Sequence, residues 1–271
     1  MLPNELIAKI RQIEIKSDKL VQEVFSGEYH SLFRGNGIEL EDIREYSPGD
    51  DIRSIDWNAS ARGDKAYIKV FREERELNVY LLIDMSASTF FGAKQERITE
   101  LAATLAFSVI KNNDKIGCLF FTDKVEKFIP SKKGKKHALS IIASLLETQA
   151  TSRGTDILNV LSHFARVEKK RSIVFLISDF YAEDYEKQLA ILALRHDLIL
   201  IRVREAAEKI LPRGVLLSLE DAERGTQITV DNLRGSKLLD WPLKFKNLID
   251  IETEDDFVKP LMLFFKRRMR R

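Results

Sequence analysis

Asp84, Ser86 and Ser88 put a carboxylate and two hydroxyls on alternate positions of the segment Asp84-Met85-Ser86-Ala87-Ser88. Side chains alternate along an extended chain, so three such oxygens can face one way. Hard oxygen donors suit Mg²⁺, Mn²⁺ or Ca²⁺ and not zinc or copper. The same residue types also cap helices and turns by bonding nearby backbone. Taken alone, the segment reads more readily as a cap than as a metal site.

Two further segments change that balance. The apolar run Ile173-Val174-Phe175-Leu176-Ile177 leads into Ser178-Asp179-Phe180, so Asp179 also follows an apolar run. Ser152-Arg153-Gly154-Thr155-Asp156 precedes a helical pattern. Gly154 permits a tight turn there, and Thr155 can present a hydroxyl. N-capping of the following helix is the competing reading for Thr155 and Asp156, and it can hold for one while the other serves a site. If Asp84 and Asp179 end neighbouring parallel strands, they meet in one crevice at the sheet edge. Two close carboxylates repel, and a cation resolves the conflict. Hydroxyls of Ser86, Ser88 and Thr155 would add neutral ligands, and water the rest of an Mg²⁺ octahedron. Such a site keeps a position open for an Asp or Glu of another protein.

The elements that must position these groups are legible as patterns. Val79-Tyr80-Leu81-Leu82-Ile83 is a branched and aromatic run of the buried-strand kind. Strands are expected at 65–74, 77–83, 115–121, 125–129, 171–177, 197–203, 213–219, 226–230 and 248–252. Helices are expected at 3–25, 94–111, 135–147, 156–167, 184–195 and 254–268. The βα alternation after Glu76 implies an α/β fold, a mostly parallel sheet with helices on both faces. The short spacing between 115–121 and 125–129 requires a hairpin, hence one antiparallel strand. Residues 27–63 are rich in Gly, Asp, Arg and Tyr and read as loops and short strands. The expected division is therefore 1–75, an N-terminal helix and turn-rich segment packed on the sheet domain, and 76–271, the sheet domain with a C-terminal helix.

Composition bounds the class. The 271 residues are 44% hydrophobic and 32% charged, as in a soluble globular protein. A net charge of +2 is too small for an overall nucleic-acid-binding signature. The single cysteine, Cys118, lies in an apolar run and reads as a core thiol. With no second cysteine there is no intrachain disulfide, which fits a reducing compartment. Residues 1–16 lack the apolar core of a secretory signal, and no stretch has the length to span a bilayer. The expected location is the cytoplasm.

Asp-x-Ser-x-Ser, a distant Thr after Gly and a later strand-end Asp resemble the metal-ion-dependent adhesion site of von Willebrand factor A-like domains. The matching residues are Asp84, Ser86, Ser88, Thr155 and Asp179. That resemblance implies a doubly wound, mostly parallel sheet with one antiparallel edge strand. It also implies a bound divalent cation, Mg²⁺ or Mn²⁺, that accepts a carboxylate from a protein partner. The N-terminal region is more specific. Arg34 to Glu39, Arg44 to Trp57 and Ala61-Arg62 resemble the signature of the bacterial family called domain of unknown function 58. Leu219-Glu220-Asp221, Glu223-Arg224-Gly225 and Thr253 to Asp256 also look similar. One departure is Leu40, where the family usually has Phe. Members are typically encoded beside MoxR-type AAA+ ATPases. The resemblance thus implies a chaperone-like role in assembling or maturing protein complexes, with such an ATPase and an acidic client segment as partners.

The alternating charges Arg44, Asp50, Asp51, Arg53, Asp56 and Arg62 read as a salt-bridged, turn-rich lid, with Ile55 and Trp57 as apolar anchors. A docking surface is the alternative. The basic run Lys132 to Lys136 lacks phosphate-loop spacing, and Lys266 to Arg271 fits cations at a helix C-terminus. The histidines pair with no Cys or second His at ligand spacing. Three functions compete: a cation-dependent binding module, a metal-dependent hydrolase or phosphotransferase, and a scaffold without metal. The second needs an acid two positions after Asp84, where Ser86 stands, and a base, and no His or Lys is evident near the motifs. The chain is therefore expected not to be an enzyme.

Overall fold

The computed structural model describes residues 8, 10–17, 20–21, 39–61, 65–72, 76–89, 92–182, 184–205, 216–220, 227–231 and 245–269. The chain forms two units, Arg34–Glu76 and a larger one made of Met1–Phe33 with Leu77–Arg271.

In the smaller unit, strands β1 (Glu39–Glu45) and β2 (Tyr67–Arg72) pair antiparallel. The turn at Ser47 to Asp50 closes between them, with Gly49 at φ 110, a conformation that favours glycine. Asp50 accepts from the Ser47 amide and from both terminal nitrogens of Arg44, at 2.7 and 2.9 Å. That pairing holds the Asp50 carboxyl below its usual range. Asp51 accepts from the Arg53 amide, and Asp56 caps the short helix Trp57–Ser60 through the amides of Asn58 and Ala59. The signature acids therefore act locally, as turn and cap acceptors. Trp57 corrects the anchor expectation: it is 71% exposed, while Ile55 is half-buried and bridges Ile68. Trp57 opens a four-residue helix that has no buried residue, so it stays on the surface. Residues Arg34 to Ile38 and Arg62 of the signature lie outside the described residues, as do 221–226 and Arg270 and Arg271.

The larger unit is built on six strands. They are β3 (Asn78–Asp84), β4 (Lys115–Phe121), β5 (Val125–Lys132), β6 (Ile173–Ser178), β7 (Asp197–Arg204) and, after two others, β10 (Leu248–Glu252). Their order is β10-β7-β6-β3-β4-β5, with β5 antiparallel to β4 and the other pairs parallel. This is the expected doubly wound, mostly parallel sheet with one antiparallel edge strand. The chain reverses direction of winding between β3 and β6, which makes their carboxyl ends the switch point.

Alternation explains why the sheet is covered twice. Val79, Leu81 and Ile83 enter one buried cluster, with residues of α1 (Gly92–Lys111), α2 (Lys135–Glu147) and the C-terminal helix α5 (Val258–Met269). Tyr80 and Leu82 enter the other, with α3 (Ile157–Val167) and α4 (Glu186–Arg195). Strands buried on both faces must be apolar throughout, which is what β3 and β6 show. Near the N-terminus, residues 10–17 are helical, and Ile10, Ile13 and Val21 pack with the first cluster. At the other end of the chain, α5 closes with Lys266, Arg267 and Arg268, and Arg268 pairs with Asp197. Cys118 is fully buried in β4, and burial pushes its thiol pKa up, as for an inert core thiol.

Two expected strands do not join the sheet. β8 (Leu216–Glu220) and β9 (Gln227–Asp231) form a separate antiparallel pair. Residues 221–226 are too few for a parallel crossover, so a hairpin pairing is the only one available.

His196, just after α4, is 3% exposed, and among the described residues neither ring nitrogen has a hydrogen-bond partner. It lies 5.5 Å from the Phe164 ring. Burial lowers its pKa below 6.5. The unfolded chain then takes up the proton first, so stability is lost as pH falls below 6.5. His196→Leu is expected to gain about 1 kcal/mol at neutral pH and more near pH 5. Urea unfolding at the two pH values checks this, and a parallel pH response of both proteins would refute it.

Candidate cation-binding site

Asp84 is the last residue of β3, and its neighbour across the parallel pair is the end of β6. The register sets Ile83 opposite Ile177, so the next residues, Asp84 and Ser178, leave the sheet side by side. Ser178 donates to Asp84 Oδ2 at 2.6 Å. Asp84 Oδ1 accepts from the Ser86 amide at 2.9 Å, which folds the Asp84–Ser88 segment into a turn over the strand end. Ser86 Oγ and Ser88 Oγ are 3.4 Å apart. Thr89 joins the two strand ends: its hydroxyl lies 3.3 Å from Asp84 Oδ2 and accepts from the Asp179 amide at 3.4 Å.

The third segment is tied in by its backbone. The Ala87 amide donates to the Arg153 carbonyl at 3.0 Å, and the Asp156 amide to the Thr122 carbonyl at 3.2 Å. Thr155 sits between these two anchors and is half-buried. Asp156 caps α3, accepting from the Asn159 amide at 2.8 Å. The capping role thus falls to Asp156. The structure brings Asp84, Ser86, Ser88 and Asp179 into one buried cluster at the strand ends and places Thr155 on the loop fastened beside it.

Burial makes this cluster electrostatically tense. Asp84 and Ser86 are fully buried, and Asp179 is 2% exposed. Removal from water pushes the Asp84 pKa up to about 7, and the neighbouring Asp179 charge pushes the same way. The Ser178 hydroxyl and the Ser86 amide and hydroxyl pull it down, but by less. Asp179 itself accepts from the Tyr181 amide at 3.2 Å, and Phe180 adopts a positive φ of 61 between them.

The donors fit a hard divalent cation. Two buried carboxylates lie with two adjacent hydroxyls, and a dication would offset both their burial and their mutual repulsion. Among the described residues no group of three or more His, Cys, Asp or Glu is arranged to hold a metal, so hydroxyls would carry much of the coordination.

Three residues of the crevice carry little or no signal in the sequence. Ser178 stands directly before Asp179 and Thr89 directly after the Asp-x-Ser-x-Ser segment, so position is their only signal. Lys94 has none, because a lysine in Gly92-Ala93-Lys94-Gln95 reads as an ordinary helix charge. It corrects the expectation that no His or Lys lies near the motifs. Lys94 is 3% exposed, with Nζ 2.9 Å from the Ser88 carbonyl and 3.3 Å from Asp179 Oδ2.

A family model described as "Protein of unknown function DUF58" matches residues 42–237. The uncharacterized protein Rv1480 of Mycobacterium tuberculosis is 30% identical over 229 residues, covering 82% of this chain and 72% of its own. The uncharacterized protein YeaD of Bacillus subtilis is 29% identical over 126 residues, or 46% of this chain and 29% of its own. Among solved structures, the conserved hypothetical protein BatB of Bacteroides thetaiotaomicron aligns with a TM-score of 0.47 at 12% identity, covering 72% of this chain and 100% of that one. Proximal thread matrix protein 1 of the mussel byssus aligns at 0.40 and 19% identity, over 47% and 37% of the two chains.

Proposed function

The chain belongs to the DUF58 family, and from that premise we propose that it is a divalent-cation-dependent protein-binding module. One observation carries the reading: Asp84 and Asp179 are buried together at the sheet's switch point, with the Ser86 and Ser88 hydroxyls beside them. Burying two like charges is costly; without an ion, the Lys94 ammonium beside Asp179 and the raised Asp84 pKa lessen that cost, and a dication would offset it in their place.

Ser86, Ser88 and Thr155 would hold the cation by their hydroxyls, with Asp84 and Asp179 supplying charge directly or through water. A bound Mg²⁺ or Mn²⁺ would offer a positive centre with a position left for a carboxylate. The chain's own residues do the rest. Ser178 and Thr89 hold Asp84 in one orientation, and the Ala87–Arg153 backbone bond keeps the Thr155 loop against the Ser86–Ser88 turn. A client Asp or Glu is the ligand this chemistry fits. The site's partner in this reading is a MoxR-type AAA+ ATPase, whose cycle would supply the force for assembly or maturation. Ser86 at the position where a general acid would be needed favours binding over hydrolysis. Among the described residues, Lys94 is the one that favours a phosphotransfer reading.

Titration calorimetry with Mg²⁺ and Mn²⁺ tests the reading. The wild type is expected to bind, and Ser86→Ala with Ser88→Ala to lose about a hundredfold or more in affinity. Capture of the ATPase or its client should vanish in chelator. Equal affinity in the double variant, or capture that persists in chelator, defeats it. Turnover of phosphoesters that requires metal and is lost in Asp84→Asn supports the hydrolase instead.

A further inference from the structure

We propose that Lys94 is a tethered counter-ion of the Asp84–Asp179 crevice, competing with a divalent cation, so that ion binding requires the Lys94 ammonium to withdraw. This deepens the cation-site reading and rests on it. The observations are independent of any bound ion. Lys94 Nζ is 3.3 Å from Asp179 Oδ2, with side-chain exposures of 3% and 1% for the pair. The same ammonium donates to the Ser88 carbonyl at 2.9 Å, so it touches two segments that carry expected ligands.

The start of a helix is an unfavourable place for a lysine. Lys94 lies in the first turn of α1, where the helix dipole disfavours a cation. Burial of an ammonium adds a further cost. The Ser88 carbonyl and the Asp179 carboxylate offset these costs, the latter across a sequence separation of 85 residues. The charges in the crevice set the ammonium against an incoming ion. A carboxylate that coordinates a cation is ionised, and two ionised carboxylates with one ammonium carry one net negative charge. A dication in place of the ammonium neutralises it, while a dication beside the ammonium leaves an excess positive charge. The two cations therefore exclude each other electrostatically. The lysine stem has enough rotatable bonds to swing the ammonium out without moving the helix. Lys94 would thus hold the crevice together before the ion arrives and set the concentration at which it enters.

The test titrates Mn²⁺ into the full-length wild type and Lys94→Met by calorimetry, and melts both in chelator. Lys94→Met is expected to bind Mn²⁺ at least about tenfold more tightly. It should melt lower than wild type in chelator and recover with Mn²⁺. Equal or weaker affinity in Lys94→Met, with wild type binding, overturns the competition and leaves the cation site standing. Binding by neither protein removes the site and the competition together. If Lys94→Met folds poorly, wild type alone decides. Reductive methylation read by mass spectrometry should find Lys94 protected in chelator and modified at saturating Mn²⁺. Protection that persists while Mn²⁺ binds overturns the proposal.

Discussion

Asp84→Ala is expected to abolish divalent-cation binding and to cost about 2 kcal/mol of stability, while Asp84→Asn abolishes binding at less than about 1 kcal/mol. The difference lies in the bonds that Asp84 accepts. The Ser178 hydroxyl, the Ser86 amide and the Thr89 hydroxyl all converge on its carboxylate. Alanine leaves buried donors unmatched, offset in part by removing a charge that burial and Asp179 both oppose. Asparagine keeps an oxygen for the Ser86 amide, and the two hydroxyls can rotate to accept. Stability in chelator should also respond to pH with a definite sign. The Asp84 pKa rises from 3.8 to about 7 on folding, so the folded state keeps a proton that the unfolded chain has released. This group's contribution is full below pH 4 and is lost as pH rises to 7. Neither variant carries that loss. Denaturant midpoints at pH 5 and pH 8 would show wild type falling relative to Asp84→Asn; midpoints that move in parallel contradict the site's electrostatics.

Gly117→Ala is expected to destabilise the protein by about 3 kcal/mol, although it adds one methyl group. Gly117 lies in β4 opposite Tyr80 of β3. A Cβ there would stand 2.4 Å from Tyr80 Cε1, 2.7 Å from Cδ1 and 2.9 Å from the Ile129 carbonyl. The ring has little freedom to yield. It stacks on Phe128 at 6.1 Å and meets the edge of Phe164 at 5.1 Å. The Ile129 carbonyl belongs to the neighbouring strand β5, so relief would have to move backbone. Glycine in mid-strand marks a close approach of this kind. Tyr80→Leu should recover part of the loss, giving a coupling of about 1 kcal/mol in a double-mutant cycle. A loss below about 0.5 kcal/mol for Gly117→Ala, or strict additivity with Tyr80→Leu, would show that the interlock is not tight.

The strands that carry the site are legible because their two faces are both buried. Val79 to Ile83 and Ile173 to Ile177 are apolar at every position, and a change to Asp or Ser marks where each leaves the sheet. Helix starts are legible to within a few residues: α1 begins at Gly92 against an expected 94, and α5 at Val258 against 254. Asp156 as the cap of α3 could not be separated from Thr155 by residue type, since both can cap; the Asn159 amide decides between them. Trp57 failed as an anchor for a related reason. Aromatic character shows that a side chain can be buried, and packing decides whether a surface is there to bury it.

The residues around the carboxylates show the limit most clearly. By itself the sequence determined the strand ends, the hydroxyls at alternate positions and the antiparallel edge, because periodicity and turn length act over a few neighbouring residues. Only the tertiary structure decided that β3 and β6 lie side by side, that β8 and β9 pair apart from the sheet, and that Lys94 reaches the carboxylate of Asp179. A lysine in a helix's first turn is indistinguishable from a solvated charge until the helix is packed. Packing brings it to a buried carboxylate remote in the chain, and attraction between charges depends on distance in space, which local patterns do not encode.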